Sequence, residues 1–235
     1  METYVVRVWL PDRPGALGAV ASRIGAVRGD VIGIDILETG DGIAVDELVV
    51  SLPKESLVDL LVSEIQEVDG VTVEDVTPVG ATVRDPRLDA LETAAVLCGA
   101  DSMGELLRAL VVHGGRTIGS EWAAVVDLVT GDVRATSGTA PTEAWLAAFV
   151  AGARTGGEGP HVGGEDVAWA PLPGVDLALV AGRIGTPFRA KERRQVAALA
   201  RVAGTRAREV GHASFSAGAS RLADDSLTGG PQDVS

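Results

Sequence analysis

An alternating apolar run from Tyr4 to Leu10 passes directly into Asp12-Arg13-Pro14-Gly15-Ala16-Leu17-Gly18, and a helical pattern follows from Leu17 to Arg28. That junction constrains the fold more than any other stretch, because a strand must turn there into a helix N-terminus. Pro14 suits a first helical turn, where no intrahelical acceptor awaits its missing N–H. Gly15 and Gly18 place no side chain over the backbone. Asp12 is expected to cap part of the free amides, and the rest point beyond the helix end. With the helix dipole behind them, such amides favour a carboxylate or another small anion. On the residues alone, a well-capped turn and an anion site both remain open.

The pattern continues through Gly29-Asp30 into Val31-Ile32-Gly33-Ile34, where Ile32, Ile34 and Ile36 alternate with Gly33 and Asp35 as in a half-buried strand. Gly40-Asp41-Gly42 is a hairpin signal, and Ile43 to Leu52 reads as a third strand. From Glu55 to Val68, residues Leu57, Leu60, Leu61, Ile65 and Val68 form one helical stripe. Asp69-Gly70 ends it, and Val71 to Val76 makes a fourth strand. The order βαββαβ is the ferredoxin-like motif. With its D-x-P-G turn, this stretch resembles an ACT domain, a small regulatory domain that binds amino acids and related ligands.

The resemblance implies a site. ACT modules pair, and a ligand lies between the first-loop amides of one protomer and the start of the second strand of its mate. Carried over, Asp12, Arg13, Pro14, Gly15, Ala16, Leu17 and Gly18 form the loop side, and Asp30, Val31 and Ile32 the partner side. Asp30 stands where amino-acid-binding relatives commonly carry asparagine. An ionised carboxylate accepts hydrogen bonds but does not donate them, which puts recognition of a ligand carboxylate there in doubt and leaves open an ammonium contact at Asp30 or no ligand at all. Trp9 lies on the strand face opposite Val6, Val8 and Leu10, which leaves two readings open, burial of that face against a second chain and an isolated exposed tryptophan.

Beyond Pro78, Gly80 and Pro86 the character changes. Two helices are expected over 87–98 and 102–113, strands over 122–128 and 133–137, and a helix over 141–153 with Trp145, Ala148, Phe149 and Gly152 inward. A glycine-rich loop, 155–164, leads to strands over 166–170 and 175–183, then to a helix from 190 to 208 striped by Val196, Leu199, Ala200 and Ala203. Pro171-Leu172-Pro173-Gly174, the strand Leu177-Ala178-Leu179-Val180-Ala181 and the segment Thr186 to Glu192 resemble the close of a GAF domain. That resemblance implies a GAF-like α/β domain with a central antiparallel sheet, and a pocket formed by Trp145, Phe149, the 155–164 loop and Trp169. The alternative is that these aromatics only fill a core. The fold class expected is α+β: a ferredoxin-like domain over 1–80, a GAF-like domain over 81–210 and a disordered tail over 211–235, the last from its Gly, Ala, Ser and Asp content, with a small docking segment as the alternative for that tail.

Charge and composition exclude several functions. Residues 1–80 hold fifteen acidic and five basic side chains, leaving −10 of the total −13 in that part. Such a chain repels phosphate backbones, so no nucleic-acid partner is expected. Arg189, Lys191, Arg193 and Arg194 form the one basic group, read as a solvated helix face. No apolar run approaches about eighteen residues, and no basic-plus-apolar leader is present, so no membrane association and a cytoplasmic location are expected. Cys98, the single cysteine, sits on a helical face with Leu88, Leu91 and Ala95 and is expected to be buried. His113, His161 and His212 lack partners at metal-ligand spacing. No nucleophile elbow, P-loop or dinucleotide fingerprint occurs. Asp46 and Glu47 point to opposite faces of a strand and are read as solvating the sheet.

The expected function is that of a non-catalytic regulatory protein, needing no cofactor, that binds an amino acid at an ACT homodimer interface. Two alternatives are a dimerising interaction scaffold with vestigial pockets, and a regulatory subunit whose acidic half seats on a biosynthetic enzyme as protein partner.

Overall fold

The computed structural model describes residues 1–79, 85–155 and 164–227. They form two units, Met1–Pro86 with Phe188–Arg194, and Arg87–Pro187 with Gln195–Ser235.

In the first unit β1 (Glu2–Pro11) leads into α1 (Ala16–Ala26), β2 (Asp30–Gly40), β3 (Ile43–Leu52), α2 (Val58–Gln66) and β4 (Thr72–Val79). The strands form one antiparallel sheet in the order β2-β3-β1-β4, the βαββαβ arrangement that the alternation predicts. Its hairpin turns at Asp41 and Gly42, both with positive φ. One face of the sheet carries the core: Val6, Val8, Leu48, Val50 and Leu52 pack with Val20 and Ile24 of α1 and Leu61 and Ile65 of α2, all fully buried. Each such side chain contributes about 1.5–3 kcal/mol by leaving water. Leu60, expected on the α2 stripe, is exposed instead. Two helices do not cover four strands. Of β2 only Val31 packs against this core, and Ile32, Ile34 and Ile36 stay 47%, 50% and 54% exposed along the edge.

The second unit opens with α3 (Pro86–Gly99) and α4 (Met103–Ala109), continues through one π-helical turn at Leu110–Gly114 and ends this helical stretch in α5 (Gly115–Thr117). Then come β5 (Trp122–Asp127), β6 (Val133–Gly138), α6 (Glu143–Thr155), β7 (Val167–Leu172), β8 (Leu177–Gly182) and α7 (Ala190–Leu227). Its sheet is antiparallel, in the order β6-β5-β8-β7. β5 and β8 are central and read as continuous apolar runs because both their faces are buried. The protein is thus mixed α+β with two four-stranded antiparallel sheets.

Several expectations are corrected. Cys98 is exposed, because α3 rests on Thr93 and Leu97 and turns Leu88 and Leu91 outward. The Thr93 hydroxyl finds a partner in Thr117 at 2.7 Å, which lets a polar residue take the inward position. In α6 the inward residues are Leu146, Phe149, Val150 and Ala153, while Trp145 is 40% exposed. α7 follows its expected stripe at Val196, Leu199, Ala200 and Ala203, and its backbone stays helical to Leu227, past the expected end at 208. Residues 228–235 of the expected tail lie outside the described residues, as do 156–163 of the expected glycine-rich loop.

Candidate functional site

Pro11 closes β1, and the Asp12 N–H donates to the Gly42 carbonyl at 2.9 Å, tying the loop to the hairpin tip. Arg13 N–H returns to the Pro11 carbonyl at 2.8 Å. Gly15 is then the N-cap of α1, at φ 90°, a left-handed conformation that side chains disfavour. Asp12 therefore does not cap. It stands three residues before the N-cap with its backbone already committed to Gly42, and no side chain caps the helix. The Leu17 and Gly18 amides, within the first turn, have no intrahelical acceptor by the geometry of an α-helix. A Cβ placed on Gly15 or Gly18 would meet nothing within 4 Å, so the space in front of this turn is open. Asp12, Arg13, Pro14, Gly15 and Gly18 are exposed and Leu17 is half-buried. Ala16 is buried in the core, so it can offer a ligand its backbone only.

The other predicted residues lie elsewhere in the chain. Asp30 opens β2 opposite Ser51, Val31 stands opposite Val50, and Ile32 sits in a bulge. On β1, Ser51 pairs with Thr3, whereas Ile43 pairs with Pro11. Between those two levels β3 runs roughly 27 Å at the usual rise of a strand. Asp30, Val31 and Ile32 are therefore at the opposite end of the sheet from Asp12–Gly18, and one chain does not bring them together.

Asp46, expected to solvate the sheet, instead belongs to the loop end. Asp46 and Glu47 do point to opposite faces, but only one of them meets water. Asp46 pairs in register with Val8 and Ile36 and is 3% exposed. Among the described residues its Oδ1 has no hydrogen-bond partner. Burial pushes its carboxyl above the usual carboxylate range, and the charges of Asp12 and Asp35 push the same way. The signal was available in the sequence: Ala44, Asp46, Leu48 and Val50 share one phase of β3, and the other three are core residues.

The opposite face of the sheet is filled by its own chain. Arg7, 3% exposed, donates to Glu47 at 2.6 Å and to Glu192 at 3.2 Å, with Glu74 4.0 Å away. Burial works against the Arg7 charge, yet Glu47, Glu192 and Glu74 outweigh it and hold its pKa above the ordinary guanidinium value. Arg189 pairs with Glu74 and stacks 4.6 Å from the Trp9 ring centroid, and Lys191 pairs with Asp35. The Glu192 carboxylate also accepts from the Arg189 N–H at 2.7 Å, as in a capping box. This overturns two expectations. The basic group is not a solvated face, since Arg189 and Glu192 are buried. Trp9 is covered by Arg189, so it gives no independent support to a second chain on that face.

In the second unit Trp145 stacks on Phe149 at 5.2 Å and meets Trp122 edge-on at 6.2 Å. Trp122 and Phe149 are core members, with Trp169 packed beside them. The aromatics expected to line a pocket thus largely fill a core, and 156–163 of the loop lie outside the described residues. A shallow depression of about 450 Å³ instead lies between the Asp127–Gly131 turn and Ala147, Val150, Ala151 and Arg154 of α6. Among the described residues no group of three or more His, Cys, Asp or Glu could hold a metal ion, and no helix is long and apolar enough to cross a membrane.

Residues 4–70 match the family model of the ACT domain. Similar solved structures include the ACT domain of the GTP pyrophosphokinase of Chlorobium tepidum, 18% identical over 34% of this chain and 100% of that one, with a TM-score of 0.28. An ACT domain protein from Streptococcus pneumoniae is 15% identical over 35% of this chain and 98% of that one, TM-score 0.28. An unknown protein from Galdieria sulphuraria is 16% identical over 86% of this chain and 91% of that one, TM-score 0.31. No curated protein matches the chain. The N-terminal segment, over residues 4–70, is an ACT domain, which implies a regulatory role through a small ligand.

Proposed function

We propose that this chain is a non-catalytic regulatory protein whose ACT domain binds an amino acid on the first-turn amides of α1, at an edge-to-edge homodimer interface. The observation that carries this reading is the uncapped start of α1 with open space over Gly15 and Gly18. Backbone amides without acceptors, backed by a helix dipole, hold a carboxylate.

The dimer explains where Asp30, Val31 and Ile32 enter. β2 is an edge strand carrying three half-exposed isoleucines, and an apolar unpaired edge is a template for a second strand. A twofold copy pairing antiparallel along β2 sets the start of one strand beside the end of the other. Asp30, Val31 and Ile32 of the mate then stand at the Glu38–Gly40 level, the end of the sheet that holds Asp12–Gly18. Both halves of the predicted site meet only in such a pair. We assign the GAF-like identity to the second unit on its central antiparallel sheet between helices, without assigning it a ligand.

Thermal unfolding of the purified protein with each of the twenty L-amino acids tests the reading. A ligand at a hundredfold over its Kd adds about 2.7 kcal/mol to the form it binds, which raises the unfolding temperature by several degrees. Gly18→Leu fills the open space with a good helix former; it is expected to keep the fold and lose the shift. A flat response at millimolar concentration overturns ligand binding and favours the scaffold.

A further inference from the structure

Asp46 is chemically out of place. It occupies a core position on β3 between Ala44 and Leu48, beside Val8, and among the described residues no cation pairs with it. An ionised carboxylate held away from water without a partner is costly. Arg7 of β1 and Lys191 of α7 are committed on the other face to Glu47, Glu192 and Asp35. Asparagine or leucine at this position would avoid the cost.

Its location gives that cost a use. Ala16, the first residue of α1, shares a core cluster with Val8, Leu10, Ala44 and Leu48, the residues around Asp46. Asp46 is level with Val8, three residues before the end of β1 at Pro11, so the buried carboxylate stands at the same end of the sheet as the uncapped turn, where the Asp12 charge acts on it. On its other side its register partner is Ile36 of β2, 54% exposed, so the approach to Asp46 is from the edge that the helices leave uncovered. Asp12, exposed in the loop above, and Asp35, paired with Lys191, add negative potential around it. An uncapped helix start and a partnerless carboxylate at one end of the sheet together match a zwitterion.

We propose that Asp46 receives the ammonium group of the ligand whose carboxylate rests on the Leu17 and Gly18 amides. The inference builds on the amino-acid reading above and sharpens it: the ligand must carry a free amine, and the discriminating group is on β3 of the same protomer as the loop. A desolvated carboxylate holds an ammonium more tightly than a hydrated one such as Asp30, so Asp46 rather than Asp30 sets the preference.

The test uses the full chain and calorimetric titration with each amino acid that shifts unfolding, together with the same molecule lacking its amine (propionate for alanine, for example). The wild-type protein is expected to bind the amino acid at least tenfold more tightly than its desamino acid. Asp46→Asn should abolish that preference while retaining wild-type affinity for the desamino acid, and Asp30→Asn should retain the preference. Equal binding of both molecules by the wild-type protein overturns the proposal without any variant. So does a preference that survives Asp46→Asn, or one lost in Asp30→Asn alone. If neither class of molecule binds the wild-type protein, the amino-acid reading itself fails and this proposal fails with it.

Discussion

Asp46 also has a consequence for the protein without ligand. Its folded-state carboxyl is shifted above the ordinary range by burial, then by Asp12 and Asp35. A group that holds its proton more tightly folded than unfolded favours the folded state at low pH. That contribution is lost as pH rises from the unfolded carboxylate value, about 3.9, through the folded one. Asp46→Asn removes the ionisation while keeping the shape. The variant is expected to unfold at a higher temperature than the parent at pH 7 and at the same temperature near pH 3, where both are neutral. A parent more stable than the variant at pH 7 would mean that Asp46 is paired when folded. At this scale the sequence was partly legible. The opposed directions of Asp46 and Glu47 followed from strand geometry, but the inward phase of Asp46 was overruled by the habit of acids to face water. The missing Asp12 cap was not legible, because it depends on Gly15 turning left-handed and on Gly42, thirty residues away, accepting from Asp12.

Elements were more readable than faces. The period of two over Tyr4–Leu10 and Ile43–Leu52, and the helical stripe of α2, each answer to one side of one core, so local pattern sufficed for the βαββαβ order. What covers an edge or an open face is decided by distant chain, and nothing local encodes it. β2 shows the difference: its isoleucines alternate as in any amphipathic strand, yet they line an uncovered edge. Ile34→Lys places a charge in the middle of that edge, where the residue is 50% exposed and little core packing is lost. The expected outcome is an unchanged fold with a shift from dimer to monomer in analytical ultracentrifugation. Trp9→Glu, which the sequence alone would choose for the same purpose, instead meets Arg189 and is expected to leave the dimer intact. A dimer that survives Ile34→Lys and dissolves with Trp9→Glu would move the interface to the other face.

For the whole molecule the unresolved problem of the sequence was charge. Residues 1–80 carry a net of −10, and self-repulsion of that size opposes compactness. The answer lies more than a hundred residues away: Phe188–Arg194 belongs to the first unit and brings Arg189 and Lys191 to Glu74 and Asp35. Arg7 is the centre of this arrangement, since Glu47, Glu74 and Glu192 all face it. Removing one partner of a buried ion group strands the others, at about 3–5 kcal/mol. Arg7→Leu should fall at the lower end, because Glu47 and Glu74 keep part of their contact with water. The loss is measured by urea unfolding at pH 7. Added salt should restore little of it, because mobile ions do not reach groups this far from solvent. Arg7→Met lacks the charge but keeps more of the stem's packing, so a loss in Arg7→Met far below that in Arg7→Leu would instead assign the effect to packing of the arginine stem, and the acidic sheet would then need another source of compensation.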